Sequence, residues 1–145
     1  MAMRRLAGST LCLAAVLLVS ACAPTIVPAP VVTTAKFPEF IEPTVPPSFA
    51  DTRAAMGFDR AWRFLQSGDL ETAQRELADA LTAAPAFYPA DIALGDVALA
   101  RTDAKAALPH FDRALERHQG DAAALPASFR SCRIHRERAH AGQGH

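Results

Sequence analysis

The chain has 145 residues, half of them apolar, 21% charged and 7% aromatic, with fifteen Lys and Arg against fifteen Asp and Glu. The length allows one small domain, and the zero formal charge removes the electrostatic case for a nucleic-acid-binding protein. Alanine is in marked excess while the β-branched and aromatic types are sparse, a balance that favours helices over a sandwich or barrel.

The first 22 residues read as an address. Arg4 and Arg5 form a basic start, Leu11 to Val19 is an uninterrupted apolar run, and small residues follow, which is the layout of a secretory signal. The run is about half the ~20 residues of a membrane-spanning helix, and Pro24 soon follows. Val19-Ser20-Ala21-Cys22 resembles the bacterial lipobox. The resemblance implies cleavage before Cys22, a thioether-linked lipid on its thiol and acylation of its new amine. Two or more chains anchor stably, at ~0.8 kcal/mol per buried CH₂. The alternative is an ordinary signal cut near Ala21 or Ala23. Ala23 stands where inner-membrane members of that class often carry Asp, so the resemblance points to the outer membrane, facing the periplasm. Removal of residues 1–21 takes Arg4, Arg5 and Cys12 away, leaving a net charge of −2 and two cysteines, Cys22 and Cys132.

Residues 22–50 form a tether. Seven of the eleven prolines fall between Ala23 and Ala50, which excludes a helix or central strand and predicts an extended, polyproline-like stretch reaching several nanometres at ~3.1 Å per residue. Residues 23–35 read as linker. Phe37-Pro38-Glu39-Phe40-Ile41 and Phe49 add rings that a disordered tract rarely carries, so residues 37–49 read equally as a docked segment.

Helices fill the remainder. Asp51 or Thr52 caps a helix over Arg53–Gln66, ended by Ser67-Gly68; Asp69 caps a second from Leu70 to about Ala83, ended by Pro85. Pro89 suits the first turn of a third helix running to about Arg101, with Asp91 favoured there by the helix dipole. Thr102-Asp103 turns into a fourth, from Ala104 to about His118. Pro109 either kinks this helix or delays its start to about Leu108.

The two pairs match at one offset. Asp69 and Asp103, Ala73 and Ala107, Leu77 and Phe111, Ala80 and Ala114, and Leu81 and Leu115 all share the same separation. A 34-residue helix–turn–helix period resembles the tetratricopeptide repeat, here as two repeats, 54–87 and 88–121. Ala61, Phe64, Gly68, Ala73, Leu77, Ala80 and Pro85 fit the family pattern in the first repeat. Leu94-Gly95, Ala98, Ala107, Phe111 and Ala114 fit it in the second. The departures are Gly57 and Arg60 where Trp and Leu are usual, Thr102 for Gly, and Gln119 for Pro. Small residues belong where helices cross closely, with Phe64, Leu77 and Phe111 filling the space beside them. The expected fold is all-α: a short α-solenoid of two such pairs, 51–121, plus a capping helix.

Such stacks usually need about three repeats. Asp121 to Leu125 starts a third, but Ser128 and Phe129 do not continue the pattern. Leu125, Phe129 and Cys132, at i, i+4 and i+7, predict a single capping helix within 122–145, followed by disorder. Residues 51–121 carry a net −4 and residues 122–145 a net +3. This contrast fits a tail that docks on the acidic repeats, one that meets anionic lipid, or a truncated array. Cys132, His135, His140 and His145 are zinc-type ligands at a spacing that does not share one helix face; they are read as solvated, with no metal or other cofactor.

No G-x-S-x-G, P-loop, H-E-x-x-H or paired-cysteine motif occurs. The acids have cap or solvent explanations, and His110 and His118 are expected on helix surfaces, so no catalytic residue is assigned. What remains is recognition. The repeat resemblance implies a concave surface built from the first helix of each pair: Ala55, Phe58, Trp62, Leu65 and Gln66, then Pro89, Ile92, Asp96, Leu99 and Ala100. Phe58 and Trp62 then anchor an extended segment or helix of a protein partner, or pack beneath the chain's own tail or Phe37–Phe49. The expected function is therefore a lipid-anchored, protein-binding scaffold or assembly factor, with membrane contact through Cys22. The alternative is a shortened array that folds only as a homo-oligomer.

Overall fold

A computed structural model describes residues 28–118 and 126–143, with side chains at 28–118 and 133–143. The signal segment 1–21, Cys22, the start of the tether, Gln119 to Leu125, the side chains of Phe129 and Cys132, and His145 lie outside the described residues. The architecture is all-α: α1 (Arg53–Ser67), α2 (Leu70–Ala83), α3 (Tyr88–Ala100), α4 (Ala104–His118) and α5 (Pro126–Ala141). α1 packs on α2 and α3 on α4 as two helix pairs. The α2–α3 contact joins them in a short repeat-like stack, and α5 lies mainly on α4 and partly on α3.

Local chemistry sets the boundaries. Thr52 Oγ1 accepts the Ala55 N–H at 3.2 Å to cap α1. Asp69 and Asp103, equivalent positions of the two pairs, make the same bond at α2 and α4, accepting from Thr72 N–H at 3.1 Å and Ala106 N–H at 2.9 Å. Those bonds from Thr72 hold the Asp69 carboxyl below its ordinary range. α1 ends with Gly68 at φ 88°. The Gly68 and Asp69 amides donate to the Leu65 and Phe64 carbonyls, both at 2.9 Å, closing the helix end. Thr102 performs the same duty after α3, at φ 61°, with its amide on the Leu99 carbonyl and that of Asp103 on Ala98. A β-branched residue is strained in that left-handed region. Pro109 lies inside α4, which runs unbroken from Ala104.

Two apolar clusters make the core. The first gathers Phe58, Trp62, Phe64, Leu65, Leu77, Phe87, Leu94 and Val97 from α1, α2 and the near side of α3. The second gathers Tyr88, Ile92, Ala98, Ala107, Phe111 and Ala114 between α3 and α4. Gly95 sits where α4 comes closest: a β-carbon there overlaps three ring atoms of Phe111. Glycine is thus needed for contact, while Phe111 itself is fully buried.

Three readings are decided. Of the two for residues 37–49, the docked one holds and not the extended one. Phe37–Phe40 is a β-turn, with Phe40 N–H on the Phe37 carbonyl at 3.1 Å and Pro38 pre-setting φ; Pro47–Phe49 is a single 3₁₀ turn. Ala29, Phe37, Phe40, Val45 and Phe49 pack against the first cluster. At the other end, the capping helix runs on to Ala141, with His135 and Ala139 buried on it. His118, expected on a surface, is buried and stacks on Tyr88 with ring centroids 4.5 Å apart.

These contacts predict opposite outcomes for two substitutions. Gly95→Ala forces Phe111 off its seat and is expected to destabilise by about 1–3 kcal/mol, despite the better helix propensity of Ala. Thr102→Gly relieves the left-handed strain and is expected to stabilise by about 1 kcal/mol. Chemical denaturation followed by circular dichroism checks both; a destabilised Thr102→Gly contradicts the strain argument.

Candidate functional site

The residues expected to form a groove fall into two groups. Phe58, Trp62 and Leu65 of α1 lie in the first cluster. Ile92 is buried in the second, and Leu99 packs against it. All are buried, Gln66 and Asp96 included, except Ala55, Leu99 and Ala100, which are half-buried. No open groove therefore joins them. The chain's own residues 29–49 cover the α1 group, and the α3 group is enclosed with α4 and α5. The physical reason is the sequence of α3, which is apolar all round and must be covered on every side.

On α1 the covering segment has a defined seat. Lys36 N–H donates to the Gln66 carbonyl at 2.8 Å, and Phe37 N–H to Gln66 Oε1 at 3.4 Å. The acceptor is one of the last carbonyls of a helix, which lack partners inside it. Phe37 and Phe40 stack at 5.5 Å. Phe49 meets Phe87 edge-on at 5.2 Å, and Phe87 in turn meets Phe58 at 5.7 Å. The end of the Lys36 side chain lies over Gly68, whose φ of 88° favours glycine.

Two carboxylates, read as cap or solvent groups, are instead fully buried in α3. Asp91 receives Arg113 Nε at 3.3 Å and also pairs with Arg117. The arginines, one turn apart on α4, form a fork around it. Asp96 has no arginine among the described residues. His135 Nε2 of α5 stands 3.5 Å from its Oδ1, and among the described residues neither Asp96 oxygen nor His135 Nδ1 has a hydrogen-bond partner. Phe111 stacks on the His135 ring at 5.8 Å, and Phe40 meets it edge-on at 5.5 Å. One imidazole thus touches α3, α4 and the N-terminal segment. Across the outer edge, Arg136 reaches Asp112 at 3.4 Å, and α5 so sets its basic face against α4.

Sequence reasoning missed the Asp96–His135 pair. Its signals were an Asp in the middle of an apolar helix and a His continuing the Cys132 stripe. Of the zinc-type residues, His135 is occupied by Asp96 and the rings, while His140 is exposed. A cleft of about 100 Å³ between α2, α3 and α4, lined by Gln74, Leu94, Val97 and Arg101 among others, is smaller than the roughly 300 Å³ at which ligand pockets begin. Arg101 at its rim is engaged by Gln74 at 2.5 Å. No helix among the described residues is long and apolar enough to cross a membrane. Comparison of the chain with protein-family models finds no matching family, and comparison with curated proteins finds no matching relative.

Burial pushes the Asp96 carboxyl well above the usual carboxylate range. Burial, then Arg138, pulls the His135 imidazole below its own range, opposed by Glu39. Both shifts favour uncharged forms. A carboxyl raised on folding contributes stability below its ordinary pKa, near 3.8, and loses it as pH rises through the raised value. The lowered imidazole contributes above 6.5 and loses as pH falls. Asp96→Asn abolishes the first slope while keeping the shape. The stability of the wild type is expected to fall relative to Asp96→Asn between pH 4 and 8, by at most about 1.4 kcal/mol per pH unit for one proton. Thermal melts across that range check it; parallel curves mean that Asp96 does not change its protonation on folding.

Proposed function

We propose that this chain is a lipid-anchored protein of the bacterial envelope, a tetratricopeptide-like module that works by binding a segment of another protein and not by catalysis. The observation that carries this reading is the linear segment seated on α1: Lys36 and Phe37 bond to Gln66, and four apolar side chains of 37–49 pack against the cluster that holds Phe58, Trp62 and Leu65. A helix face that takes an aromatic, proline-rich strand of its own chain has the surface chemistry for a protein segment. The lipobox-like Val19-Ser20-Ala21-Cys22 supports the anchor.

The docked segment changes the geometry of anchoring. Ala29 packs against the first cluster, seven residues after Cys22, a span of at most about 25 Å. The domain therefore rides close to the lipid surface, on the periplasmic side of the outer membrane in this reading, and not several nanometres away. The flanking segment and α5 take the places of missing repeats, which favours a self-sufficient monomer over an obligate oligomer of a shortened array.

Metabolic labelling with radioactive palmitate is expected to mark the wild type and not Cys22→Ala, with the variant moving from the membrane to the soluble fraction. Sedimentation of the soluble variant is expected to show a monomer with a cooperative melt. An aggregating or molten product overturns the monomeric module in favour of the shortened array.

A further inference from the structure

Residues 36–49 behave as a ligand that the chain carries with it. Their recognition unit is local, because the Phe37–Phe40 turn closes on itself through the Phe40 amide and stacks its two rings on each other, with Phe40 also meeting His135 of α5. Such a four-residue unit is portable between chains. Its backbone docks on a helix-end carbonyl, which accepts an N–H from any peptide placed there. The burial is lopsided: Phe37 and Phe40 remain partly exposed, whereas Phe58, Trp62 and Leu65 beneath the segment are 1%, 8% and 0% exposed. The rings of the turn are thus half enclosed, while Pro43 and Pro46 further along the segment are buried.

We propose that the α1 face is a peptide-binding site whose partner presents an aromatic–Pro–x–aromatic turn, and that residues 36–49 occupy it until such a partner displaces them. This rests on the protein-binding reading above and narrows it to one ligand class. A tethered occupant competes at an effective concentration in the millimolar range, so the site is masked against weak ligands and opens to a partner that is stronger or itself multivalent.

The test uses the full chain in mild detergent and, as probe, a fluorescein-labelled synthetic peptide with the sequence of residues 35–50, read by anisotropy. The Phe37→Ala/Phe40→Ala protein is expected to bind this peptide at least tenfold more tightly than the wild type. A control peptide with the same two alanines is expected to bind neither protein. Lys36→Pro, which removes the amide on Gln66 and keeps the rings, is expected to strengthen binding at least threefold. A folded variant that does not distinguish the two peptides overturns the proposal. Loss of the helical melt in both variants also overturns it, since an occupant whose release unfolds the scaffold is core and not ligand. If cross-linking in cells yields a specific partner that the peptide does not displace, the ligand class fails while the protein-binding reading stands.

Discussion

Every residue of α3 from Tyr88 to Ala98 is buried. An amphipathic helix leaves one side to water; this one has no side to spare, because its sequence is apolar all round except for two carboxylates. The remainder of the chain is arranged to satisfy that demand. α2 and α1 cover one side, α4 another, and α5 a third, while residues 29–49 complete the layer over α1. A stack of two helix pairs is short for a repeat architecture, in which each unit leaves an apolar face for the next. Here the segment before the repeats and the helix after them supply the cover that further repeats would provide.

The two carboxylates inside this helix show how burial of charge is managed in different ways. Asp91 is compensated by two arginines whose outer edges still reach water, so charge pairing is gained without desolvating the guanidinium groups fully. Asp96 faces a buried imidazole in a setting that favours neutral forms of both. The first arrangement ties α4 to α3. The second ties α5 to α3 and, through Phe40, to the N-terminal segment, coupling the two ends of the chain at one ring.

Close packing explains the small residues of the repeat. Gly95 admits the Phe111 ring against its backbone, and the αL positions Gly68 and Thr102 end the first helix of each pair in the same way. The scaffold is thus rigid where the helices meet. The segment on α1 is held differently, by a helix-end carbonyl, a glutamine side chain and half-exposed rings. That contrast between a rigid face and a turn whose rings stay half exposed is the physical basis for reading the face as a site.

Helix existence and limits were legible from the residues alone. The expected α4, Ala104 to about His118, matches the observed span, and α1 to α3 agree within a residue, because Thr52, Asp69, Gly68 and Asp103 act on amides and carbonyls only a few positions away. The common offset of the two pairs likewise foretold equivalent caps and equivalent crossings. What the residues did not reveal was which distant surfaces meet. The residues alone placed Ile92 and Leu99 on an open concave surface, and did not show that they pack with α4. An Asp in the middle of α3 does not name a histidine on α5 as its neighbour, and a proline-rich stretch does not show that it folds back as a turn. Capping and periodicity depend on neighbours along the chain, so the sequence determined them. Occupancy of the α1 face and the partners of Asp91, Asp96 and His135 depend on how separate elements fit together in space, and only the tertiary packing decided those.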